Sequence, residues 1–580
     1  MGSIATHTPI YSIGAAVAVI KDDKVILNKA YGYANLEKQT LLDNSSQVFE
    51  WGSVTKLVTW VSVMQLVEEG RLDLNKDIKT YLPDNFLTKL KYEKPITLLN
   101  LMNHTAGFED YLLDLGFKTP DSIKPLSEGL KLAEPDQVYE PGTVMSYSNF
   151  GAALAGYIVE RASGMEFYEY ANKNIFDPLG MKHTSIQPTL KDKKFLFDNK
   201  PMGYTWQGNN NFGLGSWTYV SLYPCGAANG TVADMAKFAC AFMPKENESS
   251  PLFKNKNTLK ELLSTSYSVV DGLPGVAHGL MEATNDKSIL FHPGSTICFS
   301  SMLAFKPDER FAIIIASNQG SESQVVFGLT KELLFGKGVD VSTDIVTDYK
   351  DVTTAHTYLP ARYQHGGYLE ILGYMSYLNL DKVDNKTITL KQLGHGLVFT
   401  KKKNGIYTRD SDKDAIYLSV VDNKVEKFWL SGMEYVPAPK IRSEIWLVVS
   451  VITLVLSGLY FIIANIVGAI QWIVSFVKKK KKKLIYKLVA LLNLCGLLMI
   501  INLILFFVRS LPWPDSSVVK IHIVFVYILS VGMIALIGFI CKALRTSDLK
   551  KLQKVSIILA NIIAVLFIIV IKYWGFYSIN

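Results

Sequence analysis

Three short segments carry residue types that together can transfer an acyl group: Ser53-Val54-Thr55-Lys56, Tyr147-Ser148-Asn149 and His292-Pro293-Gly294, in that order along the chain. A serine hydroxyl becomes a useful nucleophile when a neighbouring base takes its proton, and an amine and a phenol are both available as bases. Downstream of Ser53 the apolar residues Val54, Leu57, Val58, Val61, Met64, Leu66 and Val67 recur at helical spacing. The pattern predicts that Ser53 sits in the first turn of a buried helix, with Lys56 three residues on and on the same side. The unpaired N–H groups and positive dipole end of such a helix would favour a developing oxyanion.

Ser-x-x-Lys alone says little. It occurs at Ser53, Ser475, Ser517 and Ser547, and the last three lie in an apolar, lysine-flanked tail. Only Ser53 opens a helical pattern followed by the other two segments. The plain reading, a capping serine followed by a surface lysine, loses its force once Tyr147 is included.

Longer stretches around these segments resemble the serine β-lactamase-related hydrolases, of the class C β-lactamase, penicillin-binding protein and D-aminopeptidase type. Phe49–Lys56 is similar to the family's nucleophile segment, and Leu66–Leu74 to the end of its helix and the following turn. Asn103-His104-Thr105-Ala106-Gly107-Phe108 resembles a recurrent loop, and Glu140-Pro141-Gly142 with Tyr147–Gly151 resembles the segment carrying the phenol. Phe176–Met181, Pro224-Cys225-Gly226 to Thr231, and Asp234-Met235 fit as well, so the resemblance covers roughly residues 10–330.

The resemblance implies roles. Ser53 would attack a carbonyl and carry the acyl group. Lys56 and Tyr147 would share the proton, in either order. The backbone N–H groups of Ser53 and Ser295 would form the oxyanion hole. Asn149, His292 and Gly294 would bind substrate. No metal and no organic cofactor is implied. The fold implied is α/β, an antiparallel sheet flanked by helices, with a helical insertion carrying Tyr147.

The third segment departs from the penicillin-binding pattern, because His292 stands where that pattern has a lysine. A histidine titrates near ~6.5 and is mostly neutral at neutral pH, so it holds a carboxylate poorly. That favours substrates without a free carboxylate beside the scissile bond. Asn229-Gly230 also departs from the family's apolar-serine pair.

The function expected is a membrane-anchored, extracytoplasmic serine hydrolase that forms an acyl-enzyme on peptide, amide or ester substrates. D-amino-acid-selective peptidase action leads, with removal of an N-acyl-D-amino-acid prodrug cap as a specific version of it. Alternatives are a cell-envelope esterase, a penicillin-binding protein or β-lactamase, and a non-catalytic sensor of cell-wall peptides or β-lactams.

The chain of 580 residues carries a formal charge of +8, and is too long for one domain. From Glu444 onward there are fifteen Lys/Arg against three acids, a local +12, which leaves −4 for the first 443 residues. A slightly acidic first part argues against nucleic acid as a partner. Four apolar runs, about 445–477, 484–508, 518–541 and 555–571, are each long enough to cross a bilayer. Lys478–Lys483 separate the first pair, and Lys542, Arg545, Lys550, Lys551 and Lys554 the last pair. Leu511-Pro512-Trp513-Pro514-Asp515, between the middle two, is nearly free of cations. The positive-inside rule places the lysine-rich loops in the cytoplasm and residues 1–443 outside. A domain outside needs an export signal, yet Gly14–Ile20, Lys21-Asp22-Asp23 and Lys24–Asn28 read as a strand, turn and strand. The expectation is that a native signal lies upstream of Met1-Gly2-Ser3.

The domains expected are a hydrolase domain over 1–335, a small β-barrel or lipocalin-like domain over 338–440, and a membrane domain over 444–580. The middle assignment rests on short strand-like pieces such as Thr387–Leu390, Ala415–Leu418 and Lys427–Leu430. Cys225, Cys240 and Cys298 have no metal-ligand spacing and read as small buried residues. Oligomeric state is left open.

Overall fold

The computed structural model describes residues 12–578, apart from 209–210, 247, 271–272, 285, 336–351, 353, 384–385, 393–394, 404–405, 410–414, 431, 480–482 and 511–514. Met1-Gly2-Ser3, Leu511–Pro514 and part of the Lys478–Lys483 run therefore lie outside the described residues. The chain divides into two compact units, one of residues 1–356, 360–362 and 379–436, the other of 357–359, 363–378 and 437–580.

The first unit is built on an eight-stranded sheet. Its strands are β1 (Gly14–Lys21), β2 (Lys24–Asn35), β3 (Thr40–Leu41), β4 (Val276–Ala277), β5 (Leu280–Ala283), β6 (Asp286–Ser295), β7 (Ser300–Lys306) and β8 (Phe311–Ser317). They lie in the order β4-β5-β6-β7-β8-β1-β2-β3, so both ends of the lobe's sequence meet in the middle of one sheet. The opening hairpin follows from its turn: Asp22 and Asp23 both have positive φ, 51° and 61°, the backbone that a two-residue hairpin turn requires. One face of the central strands buries Val17, Val19, Met302, Ala304, Ile313 and Ile315 with Val326. Burying each such side chain fully is worth about 1.5–3 kcal/mol.

Three helices position the site: α1 (Thr55–Glu68), α2 (Asn149–Ser163) and α3 (Val232–Ala241). The helix expected after Ser53 forms, with two differences. Ser53 lies in a short 3-10 turn, Gly52–Val54, that precedes α1. And α1 is buried on every side from Thr55 to Met64, so it has no solvent face, and its polar residues Thr55, Lys56, Thr59 and Ser62 are enclosed as well. Tyr147 lies just ahead of α2 rather than inside a helix, and Ser148 caps α2 by accepting from the Gly151 N–H at 2.9 Å. Asn229–Thr231 is a strand paired with Val48–Glu50, just before the serine turn.

A closed barrel follows, of β9 (Thr357–Pro360), β10 (Leu378–Val383), β11 (Thr387–Gln392), β12 (His395–Lys403), β13 (Ile406–Thr408), β14 (Ala415–Val421), β15 (Lys424–Leu430) and β16 (Met433–Pro437). Its body belongs to the same unit as the lobe. Ile406, Ala415, Tyr417 and Trp429 pack on Met145, Leu273 and Val276 of the lobe. A buried polar cluster reinforces this seam. The Tyr267 hydroxyl donates to Glu434, Lys427 pairs with Glu434 at 3.2 Å, and Lys427 Nζ also donates to the Thr143 carbonyl at 2.6 Å.

The second unit holds four long helices, α4 (Glu444–Val477), α5 (Leu484–Ser510), α6 (Ser516–Thr546) and α7 (Lys551–Tyr573), each long and apolar enough to cross a membrane. Many of their large apolar side chains, such as Leu456, Ile463, Ile504 and Phe539, are exposed, as expected of surfaces meant for lipid rather than water. Contacts between helices are partly polar: Asn465 Nδ2 donates to the Asn493 carbonyl at 2.8 Å, and Asn502 Nδ2 to that of His522 at 3.1 Å. The segment 363–378 joins this unit through Glu370, which pairs with Arg442 at 2.7 Å.

Candidate active site

The serine turn is held from three sides. Trp51 N–H donates to the Ala228 carbonyl at 2.8 Å. Thr55 Oγ1 donates to the Gly52 carbonyl at 2.6 Å and accepts from Ala228 N–H at 3.0 Å. Ser301 Oγ on β7 donates to the Trp51 carbonyl at 2.7 Å. Gly52 has φ +51°, and a side chain there would come within 2.6 Å of the Ser295 nitrogen. Glycine thus lets the end of β6 close directly onto the serine turn. This brings the backbone of Ser295 against Gly52, the residue before Ser53; the N–H groups of Ser53 and Ser295 are the pair expected to form an oxyanion hole. Gly294 is enclosed against the Trp51 carbonyl and Ser301.

Lys56 reaches Ser53. Its Nζ lies 3.1 Å from Ser53 Oγ, 2.8 Å from Asn149 Oδ1 and 2.8 Å from the Cys225 carbonyl. The last two are acceptors and fix two N–H bonds of the amine. Its third contact is donated to the serine hydroxyl, close enough for a proton to pass between the two groups during the reaction. Tyr147 completes the group, with Lys56 Nζ 4.8 Å from its ring centre. Ser53 and Tyr147 are half-buried, whereas Lys56 is fully enclosed. Asn149, the first residue of α2, thus holds Lys56 and lies at the site.

His292 is placed differently from the expectation that it binds substrate. Its side chain is fully buried and offers no surface to a ligand. Its Nδ1 lies 2.7 Å from the Pro293 carbonyl, which puts the proton on Nδ1 and leaves Nε2 as a buried acceptor with no hydrogen-bond donor among the described residues. Burial, and then the charge of Lys56, push its pKa down to about 3. His292 is therefore neutral throughout the physiological range.

Three residues that the motifs did not single out as functional surround Tyr147. His104 lies tilted against its ring, with centres 4.3 Å apart, and its Nδ1 accepts from Ser148 N–H at 3.3 Å. Burial first, then Lys56, His292 and Arg362, hold His104 well below the usual histidine range. The Arg362 guanidinium lies 4.8 Å from the Tyr147 ring centre, and its Nε donates to Asp110 Oδ2 at 3.0 Å. His104 was visible only as part of a loop motif, and its positive φ of 56° marks it as unusual. Arg362 and Asp110 are 252 residues apart, and no local signal links them. Cys298 lies in the bend between β6 and β7 and is buried; Cys240, expected to be buried, is only half-buried. Among the described residues, no group of His, Cys, Asp or Glu could hold a metal ion.

The family model for Beta-lactamase matches residues 11–334. The chain belongs to the Beta-lactamase family. It is 26% identical over 350 residues to protein flp of Staphylococcus aureus (strain N315), a match covering 58% of this chain and 66% of that relative. The chain thus matches slightly less than two thirds of the length of that relative. It is 28% identical over 303 residues to PbpX of Bacillus subtilis (strain 168), named for penicillin binding, covering 51% of this chain and 71% of PbpX. The solved structure of SurE matches with a TM-score of 0.53 at 19% identity, covering 74% of this chain and 95% of SurE, a likeness of fold.

Proposed function

We propose that this protein is a membrane-anchored serine hydrolase working outside the cytoplasm, which forms an acyl-enzyme on Ser53 and cleaves amide bonds with D-amino-acid selectivity. The observation that carries the reading is the Lys56 amine. Two of its N–H bonds are tied to Asn149 and Cys225, and it faces Ser53 Oγ at 3.1 Å. In the reaction the proton of Ser53 passes to Lys56 or Tyr147 as the Oγ–carbon bond forms. It returns to the leaving nitrogen as the carbon–nitrogen bond breaks. The N–H groups of Ser53 and Ser295 receive the oxyanion. His292, neutral and enclosed, acts behind the site by positioning β6 rather than by touching substrate. The absence of a fixed charge at this position supports substrates without a free carboxylate beside the scissile bond. Four apolar helices support membrane anchoring, and the lysine-rich loops support an outside location for the lobe.

The test uses full-length protein in detergent, treated with a fluorophosphonate probe and a fluorescent penicillin, with the label mapped by mass spectrometry. The expected result is fluorophosphonate label at Ser53, its loss in Ser53→Ala, and no durable penicillin adduct. N-acyl-D-amino-acid amides are then the first substrates to try. A durable penicillin adduct at Ser53 would instead favour a penicillin-binding enzyme or sensor, the reading to which the likeness to PbpX points. Folded protein that takes neither label at Ser53 would overturn the nucleophile assignment.

A further inference from the structure

Tyr147 has a second cationic neighbour that comes from the far side of the barrel seam. Lys56 Nζ and Arg362 Cζ both lie 4.8 Å from its ring centre. Arg362 lies two residues after the end of β9, and the backbone just before it is pinned. Ala361 N–H donates to the Glu434 carbonyl of β16 at 2.7 Å, and the Ala361 carbonyl accepts from the Tyr139 hydroxyl at 3.2 Å. The guanidinium is oriented by Asp110, and the side chain remains 35% exposed. A tightly fixed arginine over a tyrosine ring is a built arrangement and not a surface accident.

The groups facing Tyr147 come from four elements. The loop before α2 contributes none besides Tyr147 itself. From α1 comes Lys56, from the 103–108 loop His104, from β6 His292, whose ring centre is 6.1 Å away, and from the barrel Arg362 with Asp110 behind it. Both histidines are neutral, and burial pushes the nearby Cys225 thiol up, so it is uncharged too. The charges are therefore those of Lys56, Arg362 and Asp110. Lys56 exchanges its proton during the reaction, so its charge comes and goes. A guanidinium does not give up its proton, and Arg362 is the steady cation beside the phenol. Because Asp110 balances it, the pair presents no surplus charge to a free carboxylate.

We propose that Arg362 is a positioning residue of the acyl-transfer site, supplied by the barrel, which holds the Tyr147 ring through its face and favours the phenolate whenever the shared proton resides on Lys56. The inference rests on the reading of Tyr147 as a proton relay. It makes the barrel part of the catalytic apparatus, since the lobe sequence alone carries no Arg362. No bond to Arg362 forms or breaks. The proton leaves Ser53 Oγ, is held by Tyr147 or Lys56, and ends on the leaving nitrogen.

The rate of fluorophosphonate labelling at Ser53 is to be measured from pH 5 to 10 on full-length wild type, Arg362→Met, Arg362→Lys, Tyr147→Phe and the double variant Tyr147→Phe/Arg362→Met. Arg362→Met should slow labelling about tenfold near neutral pH, the size of a partly exposed cation–ring contact. It should also move the acid limb of the profile upward by about one pH unit. Arg362→Lys should return the limb towards its wild-type position, yet label more slowly, because an ammonium cannot span Tyr147 and Asp110 as a fork does. With Tyr147→Phe already present, Arg362→Met should change the rate little. The inference is overturned if the acid limb of Arg362→Met coincides with wild type, or if the loss is as large in the Tyr147→Phe background. Should Arg362→Met fail to fold, an unshifted, full-rate Arg362→Lys overturns it equally. Wild type that takes no label at Ser53 brings down the functional reading itself, a different outcome from labelled protein with an unmoved limb.

Discussion

The site's chemistry depends on how single polar atoms are spent. Of the three hydrogen-bond partners of Lys56 only Ser53 can change protonation during catalysis, so Lys56→Ala should remove acylation almost wholly, while Asn149→Ala should slow it by freeing the amine. The expected losses are about 10²–10⁴-fold for the first and about tenfold for the second, read as labelling rates at Ser53. His292 makes a prediction about stability instead. In the native protein it stays neutral down to about pH 3, whereas in the unfolded chain it titrates near ~6.5. Below pH 6.5 the unfolded chain therefore binds a proton that the native one refuses. Stability is complete above that pH and is lost as pH falls, by on the order of 2 kcal/mol at pH 5. His104 acts in the same direction. Thermal unfolding followed between pH 8 and 4 should show a shallower pH dependence in His292→Gln than in wild type. At this scale the sequence announced Ser53, Lys56, Tyr147, Asn149 and His292 through their spacing. It could not announce that His292 faces inward, since a strand residue's side follows from register. Nor could it announce Arg362, whose partners Tyr147 and Asp110 are near only in the folded chain.

Elements were legible where one local rule decided them. The opening hairpin followed from an Asp-Asp turn between apolar runs, and the four long helices from uninterrupted apolar length. The barrel was legible as a class, but β10, β13 and β16 were not picked out. Ile406–Thr408 is three residues long, and Leu378–Val383 mixes apolar with charged residues. Such strands exist because their neighbours complete them. The enclosure of α1 was illegible for a related reason: Thr55, Thr59 and Ser62 look like a polar face until Pro224, Ala228 and the helix's own carbonyls accept or donate to them. The seam between lobe and barrel is the place to test how elements depend on each other. Glu434 is enclosed, and burial raises its pKa despite Lys427 and Tyr267. Removing the cation leaves a buried carboxylate without its ion-pair partner, so Lys427→Met should cost about 3 kcal/mol, measured as a lowered unfolding midpoint. Replacing both members, Lys427→Met with Glu434→Leu, should recover part of that loss. Because Glu434 O holds Ala361, the single variant should also slow labelling at Ser53, as Arg362 loses its anchor.

For the whole molecule, the question is which side of a membrane each loop occupies, and charge gives a definite expectation. The loops after α4 and after α6 carry the cations, while the α5–α6 connection carries Asp515, which caps α6. Each Lys or Arg placed on the wrong side opposes insertion, and six consecutive lysines after α4 outweigh any other local bias. Were all four helices to cross, both ends of the helical segment would lie on the same side. In a background lacking the exposed Cys541, Asp515→Cys should react with a membrane-impermeant thiol reagent on intact cells. Lys483→Cys should react only after permeabilisation. Residues of the lobe such as Lys24→Cys, on the exposed β2, should behave like Asp515→Cys. The reverse pattern would place Ser53 in the cytoplasm and remove extracytoplasmic peptides from consideration as substrates, while leaving the acyl-transfer chemistry of Ser53, Lys56 and Tyr147 untouched. Sidedness and catalysis are thus separable, because the first is set by lysines after residue 477 and the second by side chains that all lie before residue 363.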